Sequence, residues 1–214
     1  MGSVHADPSI EAGERNEPRI GFDDVTIVRG GRKIVEQLTF RVAAGEILAL
    51  LGPSGRGKTS VLHAGAGLLR PASGTVERRT EAQSVLFQEA RLLPWMSVGR
   101  NVRLGARDRS VYSLRPCSRV DEVLAEVGLA GHAGSAPFRL SGGMQRRAAL
   151  ARVLYSEPQV VFADEPFAHL DAQSAGLVAS ALRRLADSGA AVLITAHEET
   201  AVFPLMGNYR TLFL

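Results

Sequence analysis

Apolar and polar positions along this chain fall into two rhythms. Residues 47–51, 160–163 and 191–195 are short, nearly unbroken apolar runs, the pattern of strands buried on both faces. Between and after them, residues 59–69, 118–127, 141 to about 155, and 171–186 carry apolar positions at helical spacing. Strands that alternate with helices predict a mostly parallel α/β sheet. Residues 20–27 and 34–42, separated by Gly30-Gly31, predict a pair of strands. A short strand near Thr75-Val76 follows the turn at 71–74, and these three strands predict a small antiparallel addition. Further strands are predicted at 84–87 and 210–214. Residues 1–18 are polar, with Pro8, Gly13 and Pro18, and are read as a flexible tail. Residues 19–214 then form one domain, in which about 89–155 make a helical subdomain.

Composition narrows the class. A chain of 214 residues with 45% apolar content can fill a core. The 25 Lys+Arg and 22 Asp+Glu leave a net charge of +3 and a pI near 9.5, scattered along the chain, so nucleic acid is not expected as a partner. The single cysteine, Cys117, allows no intrachain disulfide and fits a reducing compartment. No apolar run approaches the ~20 residues of a membrane span, and the start does not read as a signal peptide. Any role in a membrane process therefore requires another chain to cross the bilayer.

The chemistry centres on Gly52, Pro53, Ser54, Gly55, Arg56, Gly57, Lys58 and Thr59, the pattern G-x-x-x-x-G-K-[ST] between a predicted strand and a predicted helix. Glycines let the backbone curl so that several N–H groups converge, and the start of the helix adds positive potential, a cradle for phosphate oxygens. Lys58 supplies a compact positive charge for the β- and γ-phosphates. It is one of only two lysines, with Lys33, in a chain that otherwise uses arginine. Thr59 offers a hydroxyl to Mg²⁺, a metal that takes few protein ligands. A second signal is the apolar run that ends on Asp164-Glu165: Asp164 is placed to hold Mg²⁺ through its water shell, and Glu165 to polarise an attacking water. A third is Leu140, Ser141, Gly142, Gly143, Met144 and Gln145. Here Ser141 caps a helix whose first turn exposes N–H donors, a second anion site in the same chain.

These motifs, in this order, resemble the ATP-binding cassette (ABC) ATPases over residues 20 to 214. The resemblance implies a P-loop NTPase core with a mostly parallel sheet, a trimmed N-terminal antiparallel β subdomain and a helical subdomain that bears the signature 140–145. It implies ATP and Mg²⁺ as ligands, with Arg29, Gly52 to Thr59 and Ser60 binding nucleotide and Thr59, Gln88 and Asp164 serving the metal. It makes Glu165, His197 and Gln88 catalytic: Gln88 contacts metal and water, and His197 contacts the γ-phosphate and orients Glu165. It implies a homodimer in which the signature of one copy faces ATP held by the other, with Asp171 at the interface. Arg29 stands where the family places an aromatic ring on adenine. Pro204 is expected to shorten the helix after His197.

Residues 87–98 further resemble the ATPase subunits of bacterial nitrate, sulfonate and taurine importers. That implies a separate membrane permease docking near Leu92, Leu93, Trp95 and Met96, a substrate-binding protein in the same system, and a place on the cytoplasmic face of the membrane. The alternative is a single cassette of an exporter or of a non-transport scaffold such as a cell-division complex.

Overall fold

The structure is a computed structural model that describes residues 18–106, 117–199 and 203–214. The expected tail, Pro18 apart, lies outside these described residues. In chain order the elements are β1 (Pro18–Arg29), β2 (Arg32–Ala43), β3 (Ile47–Leu51), α1 (Lys58–Gly65), β4 (Ser73–Arg78), β5 (Gln83–Leu86), α2 (Val98–Arg103), α3 (Cys117–Glu126), α4 (Gly142–Ser156), β6 (Val160–Ala163), α5 (Ala172–Asp187), β7 (Ala191–Ala196) and β8 (Tyr209–Phe213). Short 3-10 turns cover Pro137–Arg139 and Phe203–Met206.

A five-stranded sheet in the order β5-β6-β7-β3-β8 is parallel throughout. A three-stranded antiparallel sheet, β2-β1-β4, lies beside it. The mixed α/β architecture and its small antiparallel sheet are those expected from the apolar rhythm. Between β5 and β6 the described residues form helices and turns and no strand.

The central strands read as continuous apolar runs because each face has its own core. Ile47, Ala49 and Leu51 of β3 point with Val161, Ala163, Val192 and Ile194 towards α4 and α5. Leu48 and Leu50 point with Val160, Phe162 and Leu193 towards α1 and the antiparallel sheet. A period of two along each strand thus divides one run between two interiors. The carboxyl ends of β3, β5, β6 and β7 share one edge of the parallel sheet, where the loops that follow them meet.

Helix α1 is shorter than its predicted span, 59–69, and stops at Gly65. Gly67 turns into the left-handed region (φ 75°), and the His63 carbonyl accepts from the N–H groups of both Leu68 and Leu69. Glycine relieves the Cβ clash of that conformation, so the helix ends there and not at the next apolar residue. Strand β1 begins at Pro18, two residues before the apolar pattern declares it. After β7, Pro204 lies within a 3-10 turn, and residues 200–202 of the helix expected there are outside the described residues.

Candidate functional site

The loop 52–57 leaves β3 at the carboxyl edge and enters α1. Gly57 caps the helix at φ 91° and offers no side chain to its first-turn N–H groups. A Cβ on Gly57 would stand 2.7 Å from Val35 Cγ2, and one on Gly52 would stand 2.6 Å from the Leu214 carbonyl oxygen. Both glycines are thus required by the packing of β2 and of Leu214, the residue after β8, against the loop as well as by backbone conformation. Lys58 is buried, and its ammonium donates to the carbonyls of Gly52 (2.6 Å) and Pro53 (2.9 Å), curling the loop around its own charge. Ser54, Gly55 and Arg56 are exposed along the rim.

Three more strand ends close on this loop. Asp164, which follows β6 and is buried, accepts from Thr59 Oγ1 (3.0 Å) and from Thr195 Oγ1 (2.7 Å). Thr195 in turn accepts from the N–H of Glu165 (2.9 Å). Glu165 sits at φ 45°, a left-handed conformation uncommon for a side-chain-bearing residue and frequent at functional sites. Its carboxylate faces two partners: Gln88 Nε2 donates to one oxygen at 3.2 Å, and His197 Nε2 lies 3.1 Å from the other. The same His197 nitrogen lies 3.4 Å from Ser54 Oγ, and Gly52 N–H donates to the His197 carbonyl. Of the residues singled out in the sequence, the structure therefore gathers Gly52, Ser54, Lys58, Thr59, Gln88, Asp164, Glu165 and His197 into one connected site.

The donor set suits Mg²⁺. Thr59 and Asp164 present hard oxygens 3.0 Å apart beside the mouth of the loop, and a metal that keeps most of its water needs few others. Among the described residues no group of three or more His, Cys, Asp and Glu side chains forms a metal-binding cluster.

Other predicted residues lie away from this centre. Ser141 caps α4, its hydroxyl accepting from Met144 N–H at 3.3 Å. Leu140 is buried and the Gln145 amide donates to the carbonyls of Pro137 and Leu140, which fixes the turn ahead of the helix. Among the described residues, no hydrogen bond joins 140–145 to the phosphate loop. Asp171 caps α5, accepting from the N–H and hydroxyl of Ser174 at 2.8 and 3.0 Å. The Ser174 backbone bond, then its hydroxyl, hold the Asp171 carboxyl below the usual carboxylate range. Arg29 is exposed at the tip of the β1–β2 hairpin, opposite Arg32.

The four residues 92, 93, 95 and 96 divide. Trp95 is 75% exposed, whereas Leu92 packs on the main core. The turn that carries them is wound on Asn101, a fully buried amide. Its oxygen accepts from Leu93 N–H (2.7 Å), and its nitrogen donates to the carbonyls of Leu93, Met96 and Ser97, each at 3.1 Å.

Two participants escaped the sequence reading. Thr195 passed as the end of an apolar strand, although a hydroxyl in a fully buried run must find a partner and so marks a site. Arg146 was not singled out within the predicted helix 141–155, yet it reaches the loops after both β5 and β6.

Comparison with known proteins decides the family. The family described as ABC transporter matches residues 35–168. The chain belongs to the ABC transporter family. The expectation of an ATP-binding cassette ATPase therefore holds. It is 44% identical over 182 residues to the aliphatic sulfonates import ATP-binding protein SsuB of Granulibacter bethesdensis, covering 85% of this chain and 74% of that protein. An SsuB protein of Pseudomonas aeruginosa is 44% identical over 156 residues, covering 67% of this chain and 61% of that protein. Among solved structures, one described as the dimeric post-hydrolysis state of an ATP-binding cassette bound to ADP and Pi shares the fold. Its TM-score is 0.76 at 23% identity, over 91% of this chain and 94% of that one.

Proposed function

We propose that this chain is the ATP-hydrolysing subunit of a bacterial importer, working as a pair of copies that enclose ATP and drive a separate membrane permease. The observation that carries the reading is the convergence of Thr59, Asp164, Gln88, Glu165 and His197 on one phosphate-binding loop. The names of the two relatives, both sulfonate import ATP-binding proteins, support import.

In this reading Lys58 and the N–H groups of the loop bind the β- and γ-phosphates. Thr59 and Asp164 would hold Mg²⁺, which would supply positive charge to offset that of the phosphates. Glu165 takes a proton from a water whose oxygen attacks the γ-phosphorus as the bond to the bridging oxygen breaks. Gln88 and His197 orient that carboxylate from either side. The Ser141 helix end, where the serine hydroxyl caps α4, serves the ATP of the second copy. Arg29 lies against adenine by its guanidinium plane.

The permease docks on the turn wound around Asn101. Trp95 projects from it, and beside the same loop lies a groove of about 530 Å³ whose walls include Leu68, Phe87, Arg91, Leu104 and Arg152. Leu68 and Leu104 are 58% and 42% exposed, apolar surface that suits a partner. That contact holds the chain at the cytoplasmic face of the membrane. Among the described residues no helix is long and apolar enough to cross a membrane.

The test is Glu165→Gln, which keeps the shape and removes the base. Turnover should fall by roughly 10²–10⁴-fold while ATP still binds and holds two copies together. Turnover close to that of the unaltered chain refutes the assignment.

A further inference from the structure

Arg146 lies in the second turn of α4 and spans two loops. Its Nε and Nη2 donate to the Gln88 carbonyl at 3.0 and 2.7 Å, and its Nη1 donates to the Ala168 carbonyl. Both acceptors belong to residues that are themselves tied to Glu165. Gln88 reaches the carboxylate through its side chain at 3.2 Å, and Ala168 N–H donates to the Glu165 carbonyl at 3.1 Å. Arg146, Gln88, Glu165 and Ala168 thus close a ring that fixes Glu165 at both its side chain and its backbone.

The ring matters because the segment it holds is not in a relaxed conformation. Glu165 and His169 both lie at positive φ, 45° and 57°. Such residues persist where the surroundings over-determine them. A planar guanidinium with donors on two edges can bridge two carbonyls that arrive from different strands; a lysine ammonium is a point and cannot match both. Burial pushes the Arg146 guanidinium down from its ordinary pKa and the Glu165 carboxylate pulls it back up, so the two charges sense each other. Arg146 is only half-buried, so water can reach both carbonyls if the guanidinium is removed. Arg152, further along α4, makes an instructive contrast: it donates to the carbonyls of Ala90 and Arg91, and neither of those residues is hydrogen-bonded to Glu165.

We propose that Arg146 is a positioning residue for hydrolysis, joining the Gln88 and Ala168 loops so that the Glu165 carboxylate is held where it meets water. The signature helix is then the element from which the base is suspended, and a shift of that helix is felt at Glu165 through one side chain. This rests on Glu165 being the base.

The experiment measures MgATP turnover and MgATP binding on the full chain in its transporter complex for four proteins: the unaltered chain, R146A, R146K and E165Q. R146A is expected to lower kcat at least tenfold with KM changed less than threefold and the number of bound MgATP unchanged. R146K should recover part of that loss and stay below half of the unaltered kcat. An R146A kcat within twofold of the unaltered chain overturns the proposal. So does a fall in kcat matched by an equal fall in binding-competent protein, the result of a merely structural role. If R146A does not fold, R146Q, which keeps an amide donor, is held to the same limits. E165Q separates the two levels. Full turnover in E165Q removes the base on which the proposal stands, whereas a dead E165Q beside an active R146A removes the Arg146 role alone.

Discussion

Thr195→Val tests the joint between the strand core and the site. Thr195 is fully buried, and its hydroxyl is shared by two groups that lack easy access to water: Asp164 accepts from it at 2.7 Å and Glu165 N–H donates to it at 2.9 Å. Valine keeps the volume and removes both bonds. A buried polar group left without its partner costs about 1–3 kcal/mol. Asp164 keeps the Thr59 hydroxyl at 3.0 Å, which limits its share, so the two groups together come to about 3 kcal/mol. For a domain of this size 1 kcal/mol is about 2–4 °C, which sets a fall in Tm of about 6–12 °C. Thr195→Ser keeps the hydroxyl and loses one methyl, about 1 kcal/mol, and should fall by no more than about 4 °C. Thermal unfolding followed by circular dichroism reads all three proteins. A valine variant that melts within about 2 °C of the unaltered chain, or a serine variant that falls as far as valine, refutes the argument that the hydroxyl carries the joint.

Two further outcomes follow from the same structure. The Asp171 carboxyl is held down by Ser174, so the cap stabilises the fold at pH values above the unfolded carboxylate range and loses that effect as pH falls through the lower folded value. Asp171→Asn should therefore be less stable than the unaltered chain at pH 7, with the gap closing as pH is lowered from about 5 to about 3 in denaturant titrations; a gap that stays constant refutes the charged cap. Trp95→Ala should weaken capture of the chain by membranes that carry its permease by about 2 kcal/mol, roughly thirtyfold in Kd. Equal capture refutes docking through that exposed ring.

The phosphate loop, the Asp164-Glu165 pair and the signature 140–145 were legible because each is a local pattern: the spacing of glycines, a charge directly after a buried run, a hydroxyl ahead of two glycines. The apolar rhythm likewise fixed the parallel sheet, since a strand buried on both faces can hide its length only between two layers. Helix ends were read less well, because α1 stops where Gly67 takes a left-handed turn and the His63 carbonyl captures two N–H groups, events that depend on backbone conformation and not on hydrophobic spacing.

What sequence could not provide was distance between loops. Gln88, Glu165 and His197 follow three different strands; 77 positions separate Gln88 from Glu165, and 143 separate His197 from its neighbour Ser54 in the phosphate loop. Only the parallel order β5-β6-β7-β3 places those strand ends side by side. The roles of Thr195 and Arg146 belong to the same class: a threonine in an apolar strand and an arginine on a helix carry no local mark of what they touch. Local patterns declared which chemistry the chain carries, because phosphate binding needs particular residues at fixed spacing. The tertiary fold decided which side chains hold that chemistry in place, because a hydrogen bond depends on the positions of both its ends, and those ends come from distant parts of the chain.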